Sequence, residues 1–329
     1  MLEQLDLFST YFIENEIKNV INSRNSSWKD KKEIPNWVSL DKVDLDQFFT
    51  KDHIAKKYID YMFNFLDKKN IEIEDCLFIE PSAGAGSFFK LLPKENRIGI
   101  DLLPLTDGIK QMDFLDWELD EKYKDKKVIF IGNPPFGYRS WLALIFMNHA
   151  AKFADYIFFI LPMAFQSDGK GSPKGRVKGM RLVYSEVVPN NSFYKLDNST
   201  VKINALFQVW ERGTQVIPDY SKADKYIDIF TVDNREERLC GQDKKDYADF
   251  FLQRTYYSQP PSLVYDFNDV KYGCGYGVII KVENKDDVIK FFDRVNWDNY
   301  SNLAAHNCRH ISMYHIKKAL LEGGIKGVK

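Results

Sequence analysis

The chain of 329 residues has few cysteines and no surplus of either charge. Its four cysteines, Cys76, Cys240, Cys274 and Cys308, include no CxxC pair. We therefore expect neither a disulfide framework nor a zinc site, and no requirement for a metal ion. The formal net charge is −1, from 46 Lys and Arg against 47 Asp and Glu. Any contact with nucleic acid must therefore come from a local basic patch.

Long hydrophobic runs are also missing. The most apolar stretch, residues 156–165, is too short to span a bilayer and contains Pro162. The chain does not open with a basic segment followed by an apolar one, as a secretion signal would. We expect a cytoplasmic protein with no membrane partner. The hydrophobic content of 44% and the aromatic content of 15% are sufficient for a folded core.

Changes in the residue pattern divide the chain into three parts. Apolar residues at helical spacing followed by a polar segment predict an N-terminal helix and a linker over residues 1–40; such a helix most often covers a core or an interface. Residues 41–213 alternate short apolar runs with helical patterns, which predicts an α/β domain with a parallel sheet. Residues 214–329 are less regular, and we expect a smaller C-terminal α+β region there.

Residues 128–137 (VIFIGNPPFG) form the most informative stretch. An apolar run ends abruptly at Asn133 and Pro134, which predicts a buried parallel strand followed by a rigid turn. Open α/β sheets bind their ligands at this end of the strands. Because proline has no N–H to donate, the turn offers carbonyl oxygens, the Asn133 amide and the ring of Phe136. These groups suit a planar ring that carries an exocyclic amine.

Two further strand ends precede this turn. Residues 76–79 predict a strand, and Gly84 and Gly86 after it would let the backbone approach a ligand closely. Residues 97–101 predict a second strand that ends in Asp101, at the distance where an acidic group binds ribose hydroxyls. Each signal alone is weak, because Gly-x-Gly is common in tight turns and a strand-end carboxylate is often simply solvated.

Two other positions admit a structural and a functional interpretation. Asp113 and Phe114 combine a carboxylate with an aromatic ring, which can bind an adenine amine and stack on its ring, but Asp113 would equally serve as a helix cap. Thr50 directly precedes a helical pattern, so that an N-cap is its simplest role.

The composition changes sharply at residues 167–181, which are rich in glycine. No acidic residue lies between Asp168 and Glu186. The basic residues of this loop are Lys170, Lys174, Arg176, Lys178 and Arg181. A flexible loop of one charge suits a phosphate backbone, but a solvated loop is an equally good interpretation.

Taken together, the motifs at residues 80–88 (EPSAGAGSF), 99–101, 113–114 and 133–137 resemble those of the S-adenosylmethionine-dependent DNA adenine-N6 methyltransferases. Residues 48–55 (FFTKDHIA) look like the additional cofactor motif of that family. Their position ahead of the other motifs is similar to the order in the gamma, TaqI-type subgroup. The resemblance covers roughly residues 45–210 and implies a Rossmann-like class I methyltransferase sheet with helices on both faces.

The resemblance also implies a role for each site residue. The residues that would bind the cofactor are Thr50, Glu80, Pro81, Ser82, Gly84, Gly86, Asp101, Asp113, Phe114 and Asn133. Asn133 and Pro134 would accept the two hydrogens of the target amine, and Phe136 would stack on a base flipped out of the duplex. Phe193 or Tyr194 would supply the opposing ring. The basic residues of the loop would bind the DNA backbone.

The implied activity is site-specific methylation of adenine in DNA, either with a companion restriction enzyme or alone. An RNA adenine-N6 methyltransferase would use the same turn, and so would a release-factor glutamine methyltransferase, which lacks the Thr50 motif and the basic loop. An inactive cofactor-binding subunit is a further alternative. Residues 214–329 are short for a full target-recognition domain, which makes a restriction or specificity subunit a candidate partner.

Overall fold

The computed structural model describes residues 7–31, 33–43, 48–168, 171–304 and 308–323, except the side chains of residues 7–14 and 42. The chain divides into two compact units. Unit 1 comprises Met1–Pro162 and Arg176–Gln215, and unit 2 comprises Met163–Gly175 and Val216–Lys329. The predicted α/β domain ends at residue 213, two residues before Gln215. The segment Met163–Gly175, which that prediction included in the α/β domain, belongs to unit 2.

The described part of the chain contains five α-helices and sixteen strands, joined by turns and short 3₁₀ segments. The helices are α1 (Leu7–Trp28), α2 (Asp52–Lys68), α3 (Trp141–Ala150), α4 (Lys285–Asp293) and α5 (Met313–Glu322). The strands are β1 (Phe49–Thr50), β2 (Cys76–Glu80), β3 (Arg97–Asp101), β4 (Ile109–Gln111), β5 (Lys127–Gly132), β6 (Tyr156–Pro162), β7 (Met180–Val187), β8 (Phe193–Tyr194), β9 (Thr200–Val201), β10 (Ala205–Arg212), β11 (Ile227–Asp233), β12 (Phe250–Gln253), β13 (Thr255–Tyr256), β14 (Cys274–Ile280), β15 (Asn302–Leu303) and β16 (Arg309–His310).

Seven strands of unit 1 form one sheet in the order β4-β3-β2-β5-β6-β10-β7. Strands β4, β3, β2, β5 and β6 are mutually parallel, and β10 runs antiparallel to both β6 and β7. The chain builds outward from β2 to β4 and then returns to place β5 on the other side of β2. This return creates a topological switch point between β2 and β5, where sheets of this kind bind ligands. The predicted fold class is confirmed.

The two faces of this sheet are covered by different helices. On one face α2 packs with Tyr58 stacked on Phe207, with ring centroids 3.8 Å apart. On the other face Phe146 of α3 packs against Phe114, which also contacts Phe130 of β5. Alternate residues of the apolar run in β5 thus point to opposite faces, as expected for a strand buried on both sides. Burial of each large apolar side chain contributes about 1.5–3 kcal/mol.

A smaller sheet of unit 1 has the order β1-β8-β9. Its first two strands pair antiparallel, with Phe49 opposite Tyr194 and Thr50 opposite Phe193. The additional cofactor motif and the predicted stacking aromatics, which lie far apart in the chain, are therefore neighbours.

Unit 2 contains two three-stranded antiparallel sheets, β11-β14-β12 and β13-β16-β15. Helices α4 and α5 pack against the first sheet around a core that includes Val278, Phe292, Trp297 and Ile316. The predicted smaller α+β region is confirmed. Within the residues that the structure describes, no helix combines the length and the apolar composition needed to cross a bilayer.

Candidate active site

A pocket opens in unit 1 where strands β2, β3 and β5 end. Glu80 is the last residue of β2, Asp101 is the last residue of β3, and Asn133 directly follows β5. Parallel strands bring their carboxyl ends to one edge, which is why these distant residues meet. The predicted site residues that line the pocket are Thr50, Glu80, Pro81, Ser82, Gly84, Asp101, Phe114, Asn133, Pro134, Phe136 and Phe193.

Only one of the two polar atoms of the Asn133 side chain forms a hydrogen bond with a described residue. Its Nδ2 donates to the carbonyl oxygen of Phe48 at 3.0 Å, which fixes the orientation of the amide. Its Oδ1 is buried and accepts no hydrogen bond from any residue that the structure describes. A buried acceptor without a donor costs about 1–3 kcal/mol. The pocket is therefore prepared for a ligand that donates an N–H or O–H to this oxygen.

The turn that follows Asn133 is held in a conformation with little freedom. Gly137 has φ = +65°, and a Cβ at this position would lie 2.7 Å from the Cβ of Leu142. Arg139 and Ser140 also have positive φ, 56° and 63°. Such backbone conformations in residues other than glycine cost about 1–3 kcal/mol each and persist only where the surroundings enforce them. The turn is consequently a preorganised part of the pocket wall.

Thr50 is not the N-cap of α2, and that prediction is wrong. The helix begins at Asp52, its N-cap is Lys51, and Thr50 lies in β1. The carbonyl oxygen of Thr50 accepts a hydrogen bond from Ser87 Oγ at 2.7 Å. Its Oγ1 is buried without a hydrogen-bond partner among the described residues. Thr50 thus presents a second unpaired polar atom in the pocket wall.

The carboxylate of Asp101 is oriented by two backbone N–H groups. Gly84 N donates to Oδ2 at 2.7 Å, and Leu103 N donates to Oδ1 at 2.8 Å. Burial raises the pKa of Asp101 to about 6, although these hydrogen bonds act in the opposite direction. Gly84 has φ = +48°, and an added Cβ would lie 3.0 Å from the ring of Phe49, so this turn requires glycine.

Glu80 is buried at the end of β2. Its Oε2 accepts a hydrogen bond from Phe89 N at 2.6 Å, and burial raises the pKa of Glu80 well above its usual range. Gly86 has φ = +73° and does not line the pocket; a Cβ there would contact Thr106. Of the two glycines in the motif, Gly84 is the one in the pocket wall.

Both carboxylate oxygens of Asp113 have partners inside the protein. Oδ1 accepts from Leu115 N at 2.9 Å, so that Asp113 caps a 3₁₀ turn, and Oδ2 accepts from Trp28 Nε1 at 2.6 Å. The Lys31 ammonium lies 3.9 Å from the same Oδ2. The neighbouring Phe114 is buried and lines the pocket with its ring.

Two pocket residues from α1, Arg24 and Trp28, were missed by the sequence analysis. Both are buried, and the Arg24 guanidinium lies 4.7 Å from the centroid of the Trp28 ring. Trp28 also packs edge-on against Trp141 at 5.9 Å. Their spacing of four residues places them on one face of a helix, which was the available signal.

Some of the predicted stacking aromatics line the pocket, and another packs behind its wall. Phe136 is half-buried and Phe193 is 1% exposed, and both line the pocket. Tyr194 does not line it; its ring packs against Phe49 with centroids 5.4 Å apart. Of the two candidates for the opposing ring, Phe193 is therefore the one in the pocket wall.

The described basic residues of the loop differ in their environments and partners. Lys174 belongs to unit 2, is buried, and pairs with Asp168. Arg181 lies in β7 of unit 1 and pairs with Glu211. Arg176 and Lys178 are exposed, and Lys170 lies outside the described residues. Contacts of this loop with DNA stay a prediction.

Histidine, cysteine and acidic side chains do not form a metal-binding group of three or more anywhere in the described ranges. His306 lies outside them.

No protein-family model matches the chain, and no curated protein matches it in sequence. Several solved structures have some similarity to it. PH1948 from Pyrococcus horikoshii, to which an RNA methyltransferase activity is attributed, is 15% identical with a TM-score of 0.37, covering 60% of this chain and 99% of its own. Magnesium protoporphyrin IX methyltransferase ChlM from Synechocystis PCC 6803 is 13% identical with a TM-score of 0.34, covering 65% and 100%. Values this low give neither a family nor a substrate for the chain.

Proposed function

We propose that the chain transfers the methyl group of S-adenosylmethionine to the N6 amine of adenine in DNA. The observation that carries the proposal is the buried and unpaired Oδ1 of Asn133. Asn133 lines a pocket that Pro134, Phe136 and Phe193 also line. An amine on a planar ring would satisfy the oxygen and fill the space between the rings.

The pocket wall has groups that suit each part of the cofactor. The Asp101 carboxylate would accept hydrogen bonds from the ribose hydroxyls, and the Gly84 turn with the unpaired Thr50 Oγ1 would bind the methionine end. The ring of Phe114 would pack on the adenine. Each oxygen of Asp113 can accept a second hydrogen bond. Asp113 itself does not line the pocket, although its neighbours Met112 and Phe114 do. We propose that Asp113 binds the adenine amine while it retains Trp28.

The proposed chemistry requires acceptors rather than a strong base. When bound, the cofactor supplies an electrophilic methyl group. Asn133 Oδ1 and the Pro134 carbonyl oxygen would accept the two N6 hydrogens and so orient the nitrogen lone pair. The same two oxygens would stabilise the positive charge that develops on the nitrogen. Since Phe48 already fixes the Asn133 amide, this arrangement needs no reorganisation during the reaction.

The direct test is incubation of the protein with labelled S-adenosylmethionine and either DNA or RNA, followed by nucleoside analysis. We expect labelled N6-methyladenine in DNA. Label in RNA alone would contradict the DNA assignment, and label on another atom would contradict the role of the Asn133 turn. Mapping of the modified sites would show whether methylation is sequence-specific, and whether it requires the added restriction or specificity subunit that we propose as a partner.

Replacing Phe136 with leucine should lower kcat/KM for DNA about tenfold to a hundredfold, because stacking of a base on an aromatic ring contributes about 1–3 kcal/mol. Leucine keeps the apolar contact that Phe136 makes with the core. Phe136→Tyr retains the ring and is the matched control, with activity near that of the wild type. An equal loss in both variants would show that the ring does not stack on the substrate.

Cofactor affinity should fall when the pH drops below 6. Only the ionised Asp101 carboxylate accepts hydrogen bonds at both oxygens, and the pKa of this group is raised to about 6. Protonation on going from neutral pH to about pH 5 should then raise the dissociation constant about tenfold. Equilibrium binding of S-adenosylmethionine across this range is the measurement. Glu80→Gln should keep the same pH profile; a flat wild-type profile would contradict the assignment of Asp101.

A further inference from the structure

Unit 2 contains a pocket of its own, with a volume of about 270 Å³. Its described wall residues include Arg235, Arg238, Arg254, Tyr257, Tyr272 and His310, and none of those described carries a carboxylate. The volume is just below the usual range of about 300–1,000 Å³ for small-molecule sites. The pocket therefore has room for part of a nucleotide and none for a duplex.

The three arginines in this wall differ in whether they form an ion pair. Arg235 is paired with Asp233 through both its Nε and a terminal nitrogen. Arg238 and Arg254 take part in none of the ion pairs between described residues. The planar guanidinium group matches phosphate oxygens in a bidentate way. An anion with several oxygens is thus the ligand that these two residues suit.

The backbone of Arg254 is fixed by two hydrogen bonds. Arg254 lies between β12 and β13, its N–H donates to the carbonyl of Cys274 at 3.4 Å, and its own carbonyl accepts from Ile311 N at 2.9 Å. His310 is positioned by Thr255, whose Oγ1 lies 2.9 Å from Nδ1. Its Nε2 lies 3.6 Å from Cys308 Sγ, and burial together with the charge of Arg254 lowers the pKa of His310, so the ring is neutral near pH 7.

Exposed aromatic rings lie in the same pocket wall. Tyr257 is 55% exposed and Tyr272 is 62% exposed, and their ring centroids are 6.3 Å apart. Tyr272 has φ = +64°, a conformation that costs a residue other than glycine about 1–3 kcal/mol. Exposed aromatic rings beside arginines that form no ion pair with a described residue are a combination with which proteins bind unpaired nucleotides.

We propose that this pocket binds the phosphate of an unstacked nucleotide within a polynucleotide, with its base packed on Tyr257 or Tyr272. Arg238 and Arg254 contact the phosphate oxygens. A base inside a duplex is stacked between its neighbours and cannot reach a tyrosine ring, so the site selects single-stranded or distorted nucleic acid. This inference rests on the proposed function at one point: we take the polynucleotide that this pocket binds to be the one that is methylated.

The test compares the full-length wild type with the double variant Arg238→Ala/Arg254→Ala, using fluorescence anisotropy of a labelled single-stranded oligonucleotide. We expect about a tenfold or greater loss of affinity and a salt dependence that is less steep by about 0.7, the change expected when one phosphate is no longer neutralised. The matched control is Lys290→Ala/Arg294→Ala, which removes the same charge from exposed positions at α4. It should change affinity less than about twofold.

Two further experiments test the role of the tyrosine rings and the kind of phosphate ligand that the pocket binds. Tyr272→Ala should weaken oligonucleotide binding, whereas Tyr257→Phe and Tyr272→Phe should not. AMP and inorganic phosphate serve as competitors. Displacement of the oligonucleotide by AMP at comparable concentration would overturn the proposal in favour of a free-nucleotide site, and so would equal losses in the charge control and the arginine variant. Thermal unfolding confirms that each variant is folded.

The methyl-transfer assay keeps the two proposals distinguishable. Asn133→Ala should retain oligonucleotide binding in this pocket although it loses methyl transfer. Wild-type binding that depends on Arg238 and Arg254, without any methylation of adenine, would reject the proposed function and support the pocket. If adenine is methylated and the arginine variant binds the oligonucleotide as the wild type does, the proposed function is supported and the proposal for this pocket is rejected.

Discussion

Asn133→Ala is expected to lower kcat for methyl transfer by at least about 10²–10³-fold, the cost of removing one preorganised polar group from a catalytic site. The substitution deletes the buried Oδ1, which has no partner among the described residues and which we propose to accept a hydrogen from the target amine. The resemblance also places Asn133 among the cofactor-binding residues, but the group deleted here is the oxygen that we assign to the amine, so the dissociation constant for S-adenosylmethionine should change little. The measurement is single-turnover methyl transfer at saturating cofactor, with cofactor affinity determined separately.

A matched substitution makes this result interpretable. Asn96 also donates through its side-chain amide to backbone carbonyls, those of Ile73 and Glu74, but it lies outside the pocket. Asn96→Ala should keep wild-type turnover, and both variants should unfold at temperatures near that of the wild type. Asn133→Ala with full turnover would remove Asn133 from the mechanism.

The sequence predicted three of the parallel strands, β2, β3 and β5, because each is a short apolar run that ends in a polar residue or a turn. The runs at residues 76–79, 97–101 and 128–132 became β2, β3 and β5 with their polar ends at one edge. Strand β7 was not predicted, although residue 181 was noted as part of a basic loop. It is an edge strand in which exposed and partly buried residues alternate after Met180, and polar residues interrupt its apolar ones, so it lacks a continuous apolar run.

The parts of the site that could not be predicted depend on contacts between distant segments. Local sequence around Thr50 favours an N-cap, but pairing with Phe193 places it in a strand. Asp113 was expected to be either a cap or an adenine ligand, and the structure shows the cap together with a hydrogen bond from Trp28, 85 residues away. No local pattern encodes such a partner, since the donor is selected only when α1 packs on the domain.

The second large effect is expected for Asp101→Asn, which should weaken S-adenosylmethionine binding about 10- to 100-fold. Hydrogen bonds to a charged group contribute about 1.5–3 kcal/mol each, and the neutral amide offers only one accepting oxygen. One of the two backbone donors, Gly84 N or Leu103 N, would then face the amide nitrogen and lose its acceptor. Isothermal titration with the cofactor is the measurement.

Stability and pH dependence distinguish a binding role of Asp101 from a purely structural one. Because the pKa of Asp101 in the folded protein is raised to about 6, above its ordinary value of 3.8, the folded state binds more protons than the unfolded state between these values. The free energy of unfolding contributed by this group therefore falls as the pH rises from about 4 to 6. Asp101→Asn should remove this slope together with the pH dependence of cofactor affinity. The exposed Asp107→Asn, an equivalent change in the same unit, should alter neither. Loss of the stability slope with unchanged cofactor affinity would assign Asp101 to the fold of the Gly84 turn and not to the ribose.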